Sequence, residues 1–167
     1  MLGFLSGLLV TLRSAGRKPV TAQYPDPVKR LKLQDRFMGF PVLTWDSQVD
    51  EPYCTGCMVC VRYCPTQCMT AKIKDNPLYQ EGRSRRRKIV EMFEINLGRC
   101  IVCGICVDVC NFDAIEMGHE YELSKYQRNG NRVDLDRLLD MGKDYQEETD
   151  WFPKQPDKNS GLPKKSA

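Results

Sequence analysis

Cys54-Thr55-Gly56-Cys57-Met58-Val59-Cys60-Val61-Arg62-Tyr63-Cys64-Pro65 and Cys100-Ile101-Val102-Cys103-Gly104-Ile105-Cys106-Val107-Asp108-Val109-Cys110-Asn111 share one spacing, C-x2-C-x2-C-x3-C, with equivalent cysteines 46 residues apart. These runs hold eight of the nine cysteines in a chain of 167 residues. Nine is odd, so a fully paired set of intrachain disulfides is excluded. Structural zinc sites set two pairs of ligands apart by a spacer, and one compact run of four is unusual for that ion. Thiolates two residues apart can instead wrap a loop around one face of a larger inorganic group. The wider x3 step then carries the chain into a short helix and sends the fourth sulfur elsewhere.

This spacing resembles the ligand run of two-cluster ferredoxins, in which each run serves a [4Fe-4S] centre and its fourth cysteine ligates the other cluster. The resemblance implies Cys54, Cys57, Cys60 and Cys110 around one cluster, and Cys64, Cys100, Cys103 and Cys106 around the second. Iron suits soft, deprotonated sulfur ligands. Gly56 and Gly104, lying between cysteines, can adopt positive φ or allow close backbone approach. Neighbouring N–H groups then become available to sulfur, where they tune potential. The ninth cysteine, Cys68, stands where the second repeat has Ala114. It reads as a small buried packing residue outside the ligand set, ahead of substitution for Cys64 as a ligand or a redox role. The sequence predicts little apolar core near the clusters.

The fold class expected is α+β: a double-[4Fe-4S] ferredoxin-like core with an internal pseudo-twofold repeat, an amphipathic N-terminal helix and extended arms. Residues 1–15 form the helix, with Leu5, Leu8 and Leu12 on one stripe and Arg13, Arg17 and Lys18 after it. It reads as an anchor on a membrane or membrane subunit, ahead of packing on the chain's own core or a signal peptide. Twelve uncharged residues make about 18 Å of helix, short of the roughly 30 Å hydrocarbon layer. Residues 16–41, with four prolines, form an extended basic arm. The double-cluster domain covers 42–118, with an insert at 71–92 whose loops are marked by Pro77 and Gly82. Within that insert, Arg85-Arg86-Arg87-Lys88 reads as a solvated loop face or a docking surface for acidic subunits or phospholipid, ahead of nucleic acid. A short strand is predicted within 42–52, another at Phe93–Leu97, and short helices after Cys60 and Cys106. Residues 119–144 read as partly helical, with Leu123, Tyr126, Val133, Leu135, Leu138 and Leu139 as contacts. Residues 145–167 read as a flexible or partner-hugging tail. His119, the one histidine, reads as a surface residue or one placed behind the ligands. A net charge of +3 is too mild to imply nucleic acid.

No nucleotide-binding glycine loop, catalytic serine setting or paired-carboxylate motif is present, so the chemistry expected is that of the clusters. Taken with the cysteine runs, GRKPVTAQYPDP at 16–27 and EYELSKY at 120–126 resemble the 8Fe ferredoxin-type subunit I of bacterial NADH–quinone oxidoreductase, respiratory complex I. The resemblance covers roughly residues 8–130. It implies an electron-relay subunit with no catalytic residue of its own, peripheral on the cytoplasmic side of the cell membrane. Its partners would be other peripheral-arm and membrane subunits, including an adjacent subunit carrying the terminal [4Fe-4S] cluster. Electrons would start on NADH and end on quinone in those other subunits. Cys68 and Asn111 depart from the commonest pattern, which bears on cluster potentials. The competing readings are the same relay in a membrane-bound hydrogenase or ferredoxin-driven quinone complex, a cluster-stabilised structural subunit, and a free ferredoxin.

Overall fold

The computed structural model describes residues 2–21, 23–25, 33–34, 36–127, 129–151 and 153. The chain divides into two compact units, Met1–Lys32 and Leu33–Ala167. The expectations for residues 26–32 and 154–167 fall outside the described residues.

In the first unit, α1 spans Leu2–Ala15. At 100° per residue, Phe4, Leu5, Leu8, Leu9 and Leu12 share one face, while Gly3, Ser6, Gly7 and Ser14 lie opposite with Val10, and Thr11 flanks Phe4. The bulky face is exposed throughout. Thr11 and Ser14 turn their hydroxyls back onto the carbonyls of Leu8 and Val10, at 2.8 and 3.1 Å, so they present little polarity. The first basic side chain, Arg13, lies in the last turn, where a cation complements the helix dipole. Among the described residues, no helix is long and apolar enough to cross a membrane.

Among the described residues, the second unit is a mixed α+β body with three small antiparallel sheets. Strand β1, Pro41–Leu43, pairs with β6, Ile115–Met117. The pairing continues outside the strands, where Gly39 N–H donates to Gly118 O at 2.8 Å and Phe40 N–H to Glu120 O at 3.0 Å. A Cβ at Gly39 would lie 2.5 Å from Glu120 O, so glycine is required there. Strands β2, Trp45–Asp46, and β3, Glu51–Pro52, form a tight hairpin. In the third sheet β5, Lys88–Asn96, lies between β4, Met69–Asp75, and β7, Arg132–Val133. The two ends of the insert, 71–75 and 88–92, are therefore sheet. Pro77 opens the short helix α3, Pro77–Gln80, where proline has no N–H to waste, instead of marking a loop. Strand β5 begins five residues before the predicted Phe93 because Ile89, Val90, Phe93 and Ile95 all reach the core.

The predicted shortage of core is corrected by the structure. Phe93, Ile95, Leu43, Ile115 and Leu138 are almost fully buried and form one cluster that also includes Cys54, Cys68 and Cys106. Helix α5, Leu135–Thr149, closes this core and continues past residue 144. Its N-cap is Asp134, whose carboxylate accepts the Arg137 N–H at 3.2 Å. Gly142 touches β1 so closely that a Cβ would stand 1.8 Å from Leu43 O. One turn on, the Gln146 amide accepts from Trp45 N at 2.8 Å and donates to Trp45 O at 3.0 Å, extending β2 through a side chain. Of the expected contacts, Leu138 and Leu139 are buried and Leu123, Val133 and Leu135 partly so, but Tyr126 is fully exposed.

The basic run is also corrected. Arg85, Arg87 and Lys88 are exposed, but Arg86 is only 6% exposed. Its guanidinium reaches Glu51 at 2.5 Å and Asp46 at 2.6 Å, bridging both strands of the β2–β3 hairpin, and stacks 4.7 Å from the Tyr53 ring centre. Asn76 donates to Glu51 at 2.6 Å and Ser84 donates to its other oxygen at 2.5 Å. Removing the cation would strand two buried carboxylates. Arg86→Met should therefore cost about 3–5 kcal/mol, read as a lower denaturation midpoint of the holoprotein. A loss under about 1 kcal/mol would place this cluster among weak surface pairs.

Candidate iron–sulfur centres

Each cysteine run folds as a loop, a short helix and a strand. Helix α2, Val59–Tyr63, carries Cys60, and α4, Ile105–Asp108, carries Cys106, so each helix contains the third cysteine instead of following it. The two helices pack on each other. The backbone repeats at the 46-residue offset of the sequence. Positive φ occurs at Gly56 and Val102 (75° and 53°), at Met58 and Gly104 (62° and 76°), and at Gln67 and Asp113 (49° and 48°). Gly56 and Gly104 are thus not equivalent to one another; each is matched by a residue with a side chain. A β-branched Val102 in this region is a genuine outlier, and such strain collects at functional loops. At Gly56 a side chain has no room, since a Cβ would sit 3.2 Å from Ile73 and Lys72 atoms.

The turns aim N–H groups at sulfur in the same way in both repeats. Val102 N–H donates to Cys100 Sγ at 3.4 Å, and Gly56 N–H does so to Cys54. Ala114 N–H donates to Cys110 Sγ at 3.4 Å, and Cys68 N–H to Cys64. Donors of this kind lower the charge density on a ligating thiolate.

Two cavities receive the sulfurs. One is lined by Cys54, Cys57, Cys60 and Cys110, with Phe93, Phe112, Ala114 and Ile115 as apolar wall. The other is lined by Cys64, Cys100, Cys103 and Cys106, together with Cys68, Pro41, Met69, Ile101 and Met117. Each of these two cavities takes three cysteines from one run and the fourth from the other. Among the described residues, no three Cys, His, Asp or Glu side chains converge as a single metal ion would need. Each set of sulfurs surrounds a hollow. Four soft donors around an apolar hollow fit a cubane better than a lone zinc ion.

Burial pushes the thiols of Cys54 and Cys106 up to about 12 and that of Cys60 up to about 11, with neighbouring sulfurs adding to the rise. The Cys100 thiol is raised by burial as well. At Cys64 burial also raises the value, but the Thr66 hydroxyl and the Cys68 N–H and thiol outweigh it and bring it down to about 7. Thiols held so high lose their protons to a metal and hardly to water, so cluster insertion is coupled to proton release. The two sets meet where the charge of Cys60 adds to the rise at Cys106.

The remaining sequence candidates lie apart. His119 is mostly buried, which corrects the surface reading; its ring packs on Phe37 and Tyr145, and Nδ1 lies 3.1 Å from Glu148. It lines neither cavity. Asn111 keeps the turn expected of a proline. Cys68, read from the sequence chiefly as packing, lines the second cavity, and its position four residues after Cys64 brings the two sulfurs to 3.5 Å.

The family whose description is "4Fe-4S dicluster domain" matches residues 53–114, which hold both runs. The chain therefore carries an iron–sulfur dicluster domain, with two [4Fe-4S] clusters as its cofactors. "NADH-quinone oxidoreductase subunit I 2" of Geobacter metallireducens is 34% identical over 81% of this chain and 95% of its own length. The proteins of the same description from Symbiobacterium thermophilum and Streptomyces coelicolor are 32% and 38% identical over 90% and 74% of this chain. The chain spans 60% of the length of each of those two. A chain in the solved structure of the membrane-bound sulfane sulfur reductase, an archaeal respiratory membrane complex, is 24% identical. That match covers 88% of this chain and 62% of the other, with a TM-score of 0.45.

The crossed cavities make an unequal prediction. Cys110→Ser should empty the cavity built mainly by the first run, leaving about four of about eight irons. Iron analysis and the spectrum of the surviving cluster check this. Survival of the first cluster with loss of the second would reverse the assignment.

Proposed function

Because the chain belongs to the NADH–quinone oxidoreductase subunit I family, we propose that it is an electron-relay subunit of a proton-translocating NADH–quinone oxidoreductase. Cys54, Cys57, Cys60 and Cys110 hold one [4Fe-4S] cluster; Cys64, Cys100, Cys103 and Cys106 hold the other. When bound, the clusters supply one-electron acceptance and release, with no open coordination position for a substrate. The observation that carries this reading is the division of eight cysteines into two sets of four around two separate cavities.

The chain's own residues set the conditions for such a relay. Phe93, Phe112 and Ile115 shield the first cavity from water; Pro41, Met69 and Met117 do so for the second. Low dielectric and N–H donors to sulfur then set the potentials. Cys60 and Cys106, on the packed helices α2 and α4, offer a short path between the centres. The pseudo-twofold repeat of backbone conformation supports two equivalent centres.

The exposed leucine face of α1, followed by Arg13, Arg17 and Lys18, suits a membrane subunit or an anionic lipid surface at the cytoplasmic side. Other peripheral-arm subunits, one with the terminal cluster, are the remaining partners. No catalytic residue is assigned to this chain.

Reductive titration of the purified complex, followed by electron paramagnetic resonance, tests the relay. Two cubane signals should appear on reduction by NADH and fade on addition of quinone. Clusters that stay silent to both would leave the chain a structural subunit. Nickel-hydrogenase subunits co-purifying in place of flavin subunits would move the same relay into a hydrogenase.

A further inference from the structure

The second cavity has one sulfur more than a cubane needs. Cys68 is 6% exposed, and its thiol lines that hollow alongside Cys64, Cys100, Cys103 and Cys106. Its Sγ lies 3.5 Å from Cys64 Sγ and is near enough to Cys100 for the two sulfurs to interact electrostatically, so it stands beside two of the four proposed ligands. Gln67, at φ 49°, turns the chain immediately before it, and Cys68 N–H is already directed at the Cys64 sulfur. The first cavity has no counterpart, because the residue four places after Cys110 is Ala114. A packing role alone is met by alanine there, in the same backbone setting.

We infer that Cys68 is a reserve fourth ligand for the cluster of the second cavity, placed to take iron when Cys64 is lost or chemically blocked. The inference rests on the ligand sets proposed above. The exchange keeps the sum of charges unchanged. An Fe–S bond to Cys68 forms as its thiol proton leaves; where Cys64 is present its Fe–S bond breaks and its sulfur takes up that proton or keeps the blocking group, and in Cys64→Ala the proton goes to solvent. The cluster keeps four thiolates and its oxidation state. The two sulfurs exchanged are already in contact, at 3.5 Å. The two cavities thus differ in tolerance: the second survives loss of the ligand donated by the first run, while the first does not survive loss of the ligand donated by the second.

Iron and acid-labile sulfide analysis of the full chain, with electron paramagnetic resonance of the reduced protein, tests this on four variants. Cys68→Ala should keep about eight irons, as the wild type does, and Cys64→Ala should also keep about eight, with an altered second-cluster signal. Cys64→Ala/Cys68→Ala and Cys110→Ala should each fall to about four. A Cys64→Ala protein with only about four irons overturns the inference. A Cys110→Ala protein that keeps all its iron does so too, and it also contradicts the crossed ligand sets themselves. Should Cys64→Ala fail to accumulate, the gain-of-function variant decides. Cys110→Ala/Ala114→Cys installs the same reserve beside the first cavity and should restore about eight irons; no recovery counts against a reserve at this position.

Discussion

Neither cysteine run completes a cavity by itself. Cys64 leaves the first run to line the second hollow, and Cys110 leaves the second run to line the first. This exchange constrains everything between the runs. The helices carrying Cys60 and Cys106 must pack together, and the strands following them must return to opposite parts of one core. Sulfurs held in apolar surroundings are costly as thiolates, and iron is what makes the arrangement favourable. Folding, proton release and cluster binding are in this sense one event.

The protein frames these cavities with interactions that do not touch sulfur. Arg86 ties Asp46 and Glu51 together on the hairpin that leads directly into Tyr53 and Cys54. Val90 N–H, at the end of the same insert, donates to Cys54 O at 3.1 Å. On the other side, α5 meets β1 through Gly142 and β2 through Gln146. The insert and the C-terminal helix are thus parts of the scaffold that fixes the first ligand and the strand before it. Their distance from the second run in sequence is closed by sheet pairing, β4 with β5 and β1 with β6.

The grouping of eight cysteines about two cavities was legible through the resemblance of their spacing to two-cluster ferredoxins, because spacing survives in a linear sequence. The strand at Phe93 was legible by alternation. Arg86 was not, because nothing in Arg85-Arg86-Arg87-Lys88 distinguishes the one side chain that meets two carboxylates some forty residues earlier. The apolar core was underestimated for a related reason. Leu43 and Ile115 are far apart in sequence and sit in three-residue strands with no long period to betray them. Gly56 and Gly104 looked like a pair, yet the positive-φ positions show each matched to a non-glycine residue. Cys68 looked like packing by comparison with Ala114, and only the cavity shows its sulfur among the others.

Placing iron atoms in the folded chain tests the crossed arrangement most directly. Anomalous diffraction at the iron edge from crystals of the holoprotein should show two separate cubes, one contacting Cys110 and the other Cys64. A cube whose four ligands are Cys54, Cys57, Cys60 and Cys64 would contradict it.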